Sequence, residues 1–148
     1  MKTILKDIHT TIIQFLEENK KQFNNAVHII NNGFGNIQNL EKKRFSKTFQ
    51  GAILVSYPMP TKMLESISGP CWEQIVCEIQ IQTNIKAPID ILETAEKLIY
   101  LLSHHRFEKE YWDGSFVLDT QRKWELSQGN TPTLTFQFIS NLLNLRNL

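Results

Sequence analysis

Cysteine is scarce in this chain, whose 148 residues contain two thiols, Cys71 and Cys77. They lie six residues apart, Cys77 in a predicted strand, and an extended segment would hold their Cα atoms about 20 Å apart at ~3.3 Å per residue. A disulfide needs Cα atoms within roughly 7 Å of each other, so this spacing argues against a bridge inside the segment. We therefore predict that both cysteines are ordinary thiols.

Long hydrophobic runs are also lacking. No stretch approaches the ~18 consecutive apolar residues that a membrane-spanning helix requires. The N-terminal segment carries Lys2, Lys6, Asp7 and His9 among its apolar residues, which excludes the uninterrupted core of a signal peptide. We therefore expect a cytoplasmic protein without a membrane partner.

Charge of one sign is not in excess either. Lys and Arg total 16 and Asp and Glu total 15, which leaves a net charge of +1. This balance gives no reason to expect a polyanionic partner from global electrostatics. We expect no sequence-specific binding of nucleic acid, and any hypothesis of nucleic-acid binding must rest on a local basic cluster.

Motifs that carry chemistry are missing as well. The chain has no Gly-x-Ser-x-Gly nucleophile elbow. Gly33-Phe34-Gly35 lacks the third glycine and the Lys-Ser/Thr ending of a phosphate-binding loop, so we predict a turn there. His104 and His105 close a predicted helix and would point roughly 100° apart, which favours interaction with the helix end over a shared metal. The sequence predicts a protein that is not an enzyme, with no catalytic residue, cofactor or metal.

What the sequence does contain is a polar-faced strand that leads into a long helix. Between Ile75 and Thr83 one parity is apolar and the other carries Glu78, Gln80 and Gln82, which predicts a strand with one wet face. The apolar parity consists of Ile75, Cys77, Ile79 and Ile81. Pro88 then opens a segment to Phe107 with apolar residues at helical spacing. Together these patterns predict a sheet with a helix covering it.

The remaining patterns complete this architecture. A first helix is predicted from Thr3 to Asn19, and the chain ends in a predicted antiparallel meander. We predict an α+β fold, a largely antiparallel (mixed) sheet with two amphipathic helices packed on one face, as a single domain over residues 1–148. The other predicted strands are Ala26 to Ile30, Phe49 to Tyr57, Phe116 to Asp119, Arg122 to Ser127 and Thr131 to Ser140.

A loop is predicted from Pro58 to Pro70, because proline, serine and glycine punctuate this stretch. Its apolar side chains exceed what a free linker needs, and a long apolar loop is commonly packed on something. We predict that this loop contacts another protein through Met59, Met63, Leu64 and Ile67.

A basic cluster with two interleaved phenylalanines is the strongest local departure from the mean composition. Three interpretations stay open: the rim of a protein interface, a small nucleic-acid footprint, or a solvated loop before a strand. The cluster consists of Lys42, Lys43, Arg44 and Lys47, with Phe45 and Phe49 between and after them.

The order of segments resembles a family of phage proteins. An N-terminal amphipathic helix leads to the strand Ala52 to Tyr57, a Pro and Gly loop, the strand Glu73 to Thr83, the helix Pro88 to Phe107, and a strand pair ending at Phe138. This pattern resembles the tail terminator or tail completion proteins of tailed phages, in particular the small tail proteins of Mu-like prophages. It is a pattern of elements that spans most of the chain.

The resemblance implies a structural role. Such a protein would assemble as a homo-oligomeric ring, commonly a hexamer, that ends the tail tube and joins it to the head–tail connector. The basic cluster and the loop from Met59 to Ile67 would contact neighbouring subunits or the tube. An alternative is a small monomeric or dimeric binding module whose basic cluster meets an acidic protein or nucleic acid, and a third is an enzyme of unrecognised class.

Overall fold

Two helices and a seven-stranded mixed sheet form the described part of the protein. The computed structural model describes residues 4–23, 27–35, 50–64, 71–83, 89–127 and 131–142. The predicted α+β class is confirmed. The helices are α1 (Ile4–Glu18) and α2 (Ile91–Ser103), and the strands are β1 (Val27–Gly33), β2 (Gly51–Ser56), β3 (Met59–Leu64), β4 (Cys71–Thr83), β5 (Val117–Leu118), β6 (Glu125–Ser127) and β7 (Thr133–Asn141).

Both helices form where the sequence predicts them, and capping fixes the ends of α2. The Asp90 carboxylate accepts from the Glu93 backbone N–H at 3.0 Å, which satisfies a donor that the first turn leaves free. At the other end, the His104 backbone N–H and its ring Nδ1 both lie close to the Tyr100 carbonyl, so the capping role predicted for His104 is confirmed. Neither helix is long and apolar enough to cross a membrane in the part of the chain that the structure describes.

The strands lie in the order β1-β2-β4-β7-β5, with β3 also paired to β4 and β6 also paired to β7. Only β1 and β2 run parallel among these pairs, and the others are antiparallel. The long strand β4 therefore lies at the centre. One of its edges carries β7, and the other carries β2 on residues 79–83 and β3 on residues 71–76.

Residues 59–64 form a strand, which corrects the prediction of a loop from Pro58 to Pro70. β3 continues the row of β2 along β4 after an interruption at Tyr57 and Pro58. Proline is tolerated on an edge strand because its missing N–H removes no hydrogen bond from the ladder there. Pro60 lies in register with Ile75, and register shifts follow it on β3. No described strand pairs with the outer edge of β3.

The core lies between the sheet and the two helices. Both helices contribute to a single hydrophobic cluster with one face of the sheet, which agrees with the prediction that they pack on one face. The helical contributions recur at the predicted spacing, and the central strands supply every second residue. The fully or almost fully buried members include Ile8, Ile12, Leu16, Leu98, Leu102, Ile53, Val55, Ile79, Ile81, Phe136 and Phe138.

The opposite face of the sheet is wet along only part of β4. Gln74 and Glu78 are half-buried, as a strand with a wet face should show, but Gln82 is fully buried. Leu54, which pairs with Gln80 on the same face, is fully buried too. The predicted wet face is therefore wrong at the carboxyl end of β4, because alternation in one strand does not reveal what covers its polar side.

Candidate interaction surface

The residues predicted to contact partners fall partly outside the described part of the chain. Lys42, Lys43, Arg44, Lys47 and Ile67 lie outside the described residues. Met63 and Leu64 belong to β3, where the backbone alone is described, in register with Trp72 and Cys71 of β4. Met59 opens β3, and its side chain is 48% exposed. The contact role of all these residues stays a prediction.

Met59 belongs to an exposed apolar group at the edge of the sheet. β1 ends at Gly33, and the chain turns through Phe34 to Gly35 with positive φ at both glycines. This turn confirms the interpretation of the Gly-Phe-Gly motif, and it leaves the Phe34 side chain 75% exposed. We call Phe34, Tyr57 and Met59 the Phe34 patch.

Tyr57 ties this patch to the core. Its ring meets Phe34 edge-on at 4.9 Å between centroids and meets His9 of α1 in the same manner at 4.8 Å. The Tyr57 backbone N–H donates to the Gly33 carbonyl at 2.7 Å, which joins the end of β1 to the interruption between β2 and β3. The patch therefore stands on a fixed support.

His9 anchors this support from below. Its Nε2 lies 2.8 Å from the Val55 carbonyl, so the neutral ring donates a hydrogen bond from Nε2 to the strand. Burial lowers the pKa of His9, and the bond to Val55 opposes that shift. The side chain is 3% exposed, and its role is to join α1 to β2.

Two open grooves flank the Phe34 patch and share its three residues. The larger has a volume of about 340 Å³ and crosses the outer face of the sheet. Glu78 and Gln137 line its floor, and Arg122 lines its far end. The smaller has a volume of about 230 Å³ and is lined in addition by Leu5, Lys6 and Pro58.

The polar side chains of the larger groove pair with one another or with neighbours outside it. Gln137 Nε2 donates to the Glu78 carboxylate at 3.2 Å. The Arg122 guanidinium lies 3.7 Å from Asp119, and the Thr61 hydroxyl donates to Gln74 at 2.8 Å. A hydroxyl activated by a base is not among these described contacts.

A cavity of about 530 Å³ lies after α2, and the side chains around it make contacts that join α2's end to the rest of the fold. Arg106 Nε donates to the Asp113 carbonyl at 3.2 Å, and Lys109 lies 3.5 Å from Asp7 of α1. Trp112, which is 2% exposed, donates from Nε1 to Ser140 Oγ at 2.6 Å and stacks on Phe107. This tryptophan is therefore a packing residue of the core.

The two histidines at the end of α2 and the buried Cys77 contact different neighbours. His105 stacks on Phe15 with 4.3 Å between centroids, whereas the His104 ring stacks on Tyr100 at 4.1 Å. Burial raises the pKa of the Cys77 thiol to about 12, which keeps it protonated and unreactive. No group of three or more His, Cys, Asp or Glu side chains that could hold a metal occurs among the described residues.

Comparison of the chain with models of protein families gives no match, and comparison with curated proteins gives none. The exposed Phe34 patch and the grooves beside it are therefore the features of this chain that point to a function. Sequence reasoning identified Met59 but missed Phe34, whose signal was an aromatic side chain placed between two glycines of a turn. Such a ring has little local backbone to cover it and is exposed unless another element packs on it.

Proposed function

We propose that this protein is a structural component of a phage or prophage tail, which self-associates into a ring that terminates or completes the tail tube and joins it to the head connector. The observation that carries this proposal is the Phe34 patch beside the outer edge of β3. Phe34 is 75% exposed and Met59 is 48% exposed, on a support fixed by Tyr57 and His9. An apolar group of this kind is typical of a protein contact site.

The chemistry of the edge favours contact through side chains over addition of a strand. Pro60 and the register shifts that follow it protect the outer edge of β3 from pairing with another strand. A neighbour would instead place its side chains against Phe34 and Met59 and into the two grooves. The net charge of +1 gives little repulsion between copies, so identical subunits can approach closely.

The proposal assigns the chain to the cytoplasm of a bacterial host before assembly into a tail, with further copies of itself, tail tube protein and head connector as partners. It assigns no catalytic role and no cofactor. The ring size expected from the resemblance is six. The alternative, a monomeric or dimeric binding module that acts through the basic cluster at residues 42–47, is the competing outcome of the test.

The test is the solution mass of the purified protein by light scattering over a concentration series, with electron microscopy of large species. We expect a ring-sized particle with a central hole. Phe34→Asp should reduce it to monomers, because a buried aspartate in the apolar contact would lose its hydration. Leu92→Asp is the matched control, because Leu92 is 62% exposed on α2 and should leave the ring intact.

A monomer at every concentration would contradict the self-association on which the proposal rests. The binding module would then be tested with heparin as an acidic probe. Steep loss of heparin binding between low and moderate salt would favour that alternative, because binding through several basic side chains releases counterions.

A further inference from the structure

A row of three rings joins the exposed Phe34 patch to a buried histidine. The Phe34 ring meets Tyr57 edge-on at 4.9 Å between centroids, and Tyr57 meets His9 edge-on at 4.8 Å. His9 lies on α1 and is 3% exposed, so the row runs from the surface to the core. We call His9, Tyr57 and Phe34 the ring row. One of its ends is therefore a titratable side chain, and the other is the exposed ring of the candidate contact site.

Tyr57, the middle member of the ring row, lies between His9 and open solvent. It is half-buried and lines both grooves beside the patch, whereas His9 lines neither. A displacement of the Tyr57 ring would therefore open a path from the water of the grooves to the His9 ring. The Tyr57 backbone N–H also donates to the carbonyl of Gly33, the residue before Phe34. The positions of Tyr57 and Phe34 are thus linked through the backbone as well as through their rings.

The surroundings of His9 suit a neutral ring. Its Nε2 lies 2.8 Å from the Val55 carbonyl, and a donor on that nitrogen is present in the charged ring as well as in this neutral tautomer. A second proton on the ring would place a positive charge in a site that is almost closed to water, where it loses most of its hydration. Burial accordingly lowers the pKa of His9. A rearrangement that lets water reach the ring therefore stabilises the charged form.

The described elements near His9 offer no carboxylate that would neutralise such a charge. Asp7, two residues before His9 on α1, already accepts from the Tyr111 hydroxyl and lies 3.5 Å from Lys109. His28 of β1 is in register with Ala52 and lies on the sheet face away from α1. The causes of the lowered pKa of His9 and of the opposing shift are burial and the Val55 bond, without a charged neighbour. The ionisable side chains on these elements are Lys6 and Asp7 of α1, His28 of β1, Tyr57 after β2 and Cys77 of β4.

We propose that the protonation state of His9 controls the Phe34 patch. The neutral ring holds Tyr57 and Phe34 in the positions that the structure shows, and the charged ring draws in water and displaces them. In the released state His9 is hydrated and titrates as an ordinary histidine, so the ratio of released to held patch rises by up to about tenfold for each pH unit below 6.5, until the pKa of the held state is reached. This inference rests on the self-association proposed above and adds its regulation: assembly at neutral pH and release of subunits in mild acid.

The first measurement is an NMR titration of the wild-type protein from pH 7.5 to pH 5.5, at a concentration below the onset of assembly. We expect the ring resonances of Tyr57 and Phe34 to shift with the same midpoint as those of His9, while far-UV circular dichroism stays constant. His9→Gln keeps a donor for the Val55 carbonyl and has no proton to gain, so its Tyr57 and Phe34 resonances should stay in place. His104→Gln, at an exposed position, is the control that should keep the wild-type response.

The second measurement is the solution mass by light scattering over a concentration series at the same pH values. The wild-type dissociation constant for assembly should rise by up to about tenfold for each pH unit between 6.5 and the midpoint of His9. His9→Gln should assemble equally well at pH 7.5 and pH 5.5. Tyr57→Phe keeps the ring that covers His9 and should keep the pH response, which excludes the tyrosine hydroxyl as its origin. If His9→Gln does not fold, the shared midpoint in the wild-type NMR titration decides alone.

The outcomes separate this inference from the proposed function. Tyr57 and Phe34 resonances that stay in place while His9 titrates, or wild-type assembly that is equally strong at both pH values, would overturn control by His9 and leave the ring. Loss of circular dichroism with the midpoint of His9 would show unfolding of the whole chain, which also overturns release of the patch. Absence of assembly at every pH would overturn the proposed function, whereas a shared NMR midpoint in the same protein would still support control of the patch by His9.

Discussion

At the scale of single residues, His9 couples pH to stability. It is buried between α1 and β2, and it donates to the Val55 carbonyl as a neutral ring. Burial lowers its pKa in the folded protein below the 6.5 of an unperturbed histidine. The unfolded chain therefore binds a proton that the folded chain does not, between the lowered pKa and 6.5.

The sign of the pH effect follows from this difference in proton binding. The contribution of His9 is fully present above pH 6.5 and is lost as the pH falls towards the folded-state pKa. We expect the free energy of unfolding, measured in urea, to decrease from pH 7.5 to pH 5.5. His9→Gln, which keeps a donor, should show a smaller decrease than the wild type. An unchanged decrease in that variant would assign the effect to other groups, and His104→Gln is the exposed control.

At the scale of elements, the start of α2 depends on one side chain. Asp90 accepts from the Glu93 backbone N–H at 3.0 Å and also places a negative charge at the positive end of the helix. Asp90→Ala should lower the free energy of unfolding by about 1 kcal/mol. Asp90→Asn keeps a side-chain acceptor and should lower the free energy of unfolding by only about 0.3 kcal/mol. Equal losses in both variants, measured by urea titration, would contradict the capping role.

The elements also show what the sequence could and could not predict. Both helices and the central strand β4 follow from periodicity, because burying one face imposes a repeat that is readable locally. β3 was missed because Pro60 signals a break, and only the topology reveals that it lies on an edge. Gln82 was predicted wet and is fully buried, because the covering of a sheet face depends on contacts distant in the chain.

Sequence reasoning likewise identified only part of the candidate surface. Met59 was recognised from the excess of apolar residues in its segment, whereas Phe34 and Trp124 were not. Their exposure depends on where β1 ends and on which strand lies outermost, and both are properties of the assembled sheet. Sequence reasoning therefore identified an apolar segment but could not predict which aromatic side chains the assembled sheet leaves exposed.

At the scale of the whole molecule, assembly and folding should be linked. If only folded chains enter the ring, a higher protein concentration favours the folded state by mass action. At a protein concentration a hundred times the dissociation constant, each docking event stabilises the folded state by roughly 2.7 kcal/mol. For a chain of 148 residues this corresponds to a rise in melting temperature of roughly 5–10 °C.

The measurement is thermal unfolding by circular dichroism at two protein concentrations about a hundredfold apart. Phe34→Asp should abolish the concentration dependence, because the blocked patch prevents docking while the exposed turn position leaves the fold intact. Leu92→Asp should keep it, because its helix position lies outside the Phe34 patch. A wild-type melting temperature that does not change with concentration would mean that docking adds nothing to the stability of the subunit, and the Phe34 patch would then lose its assembly role.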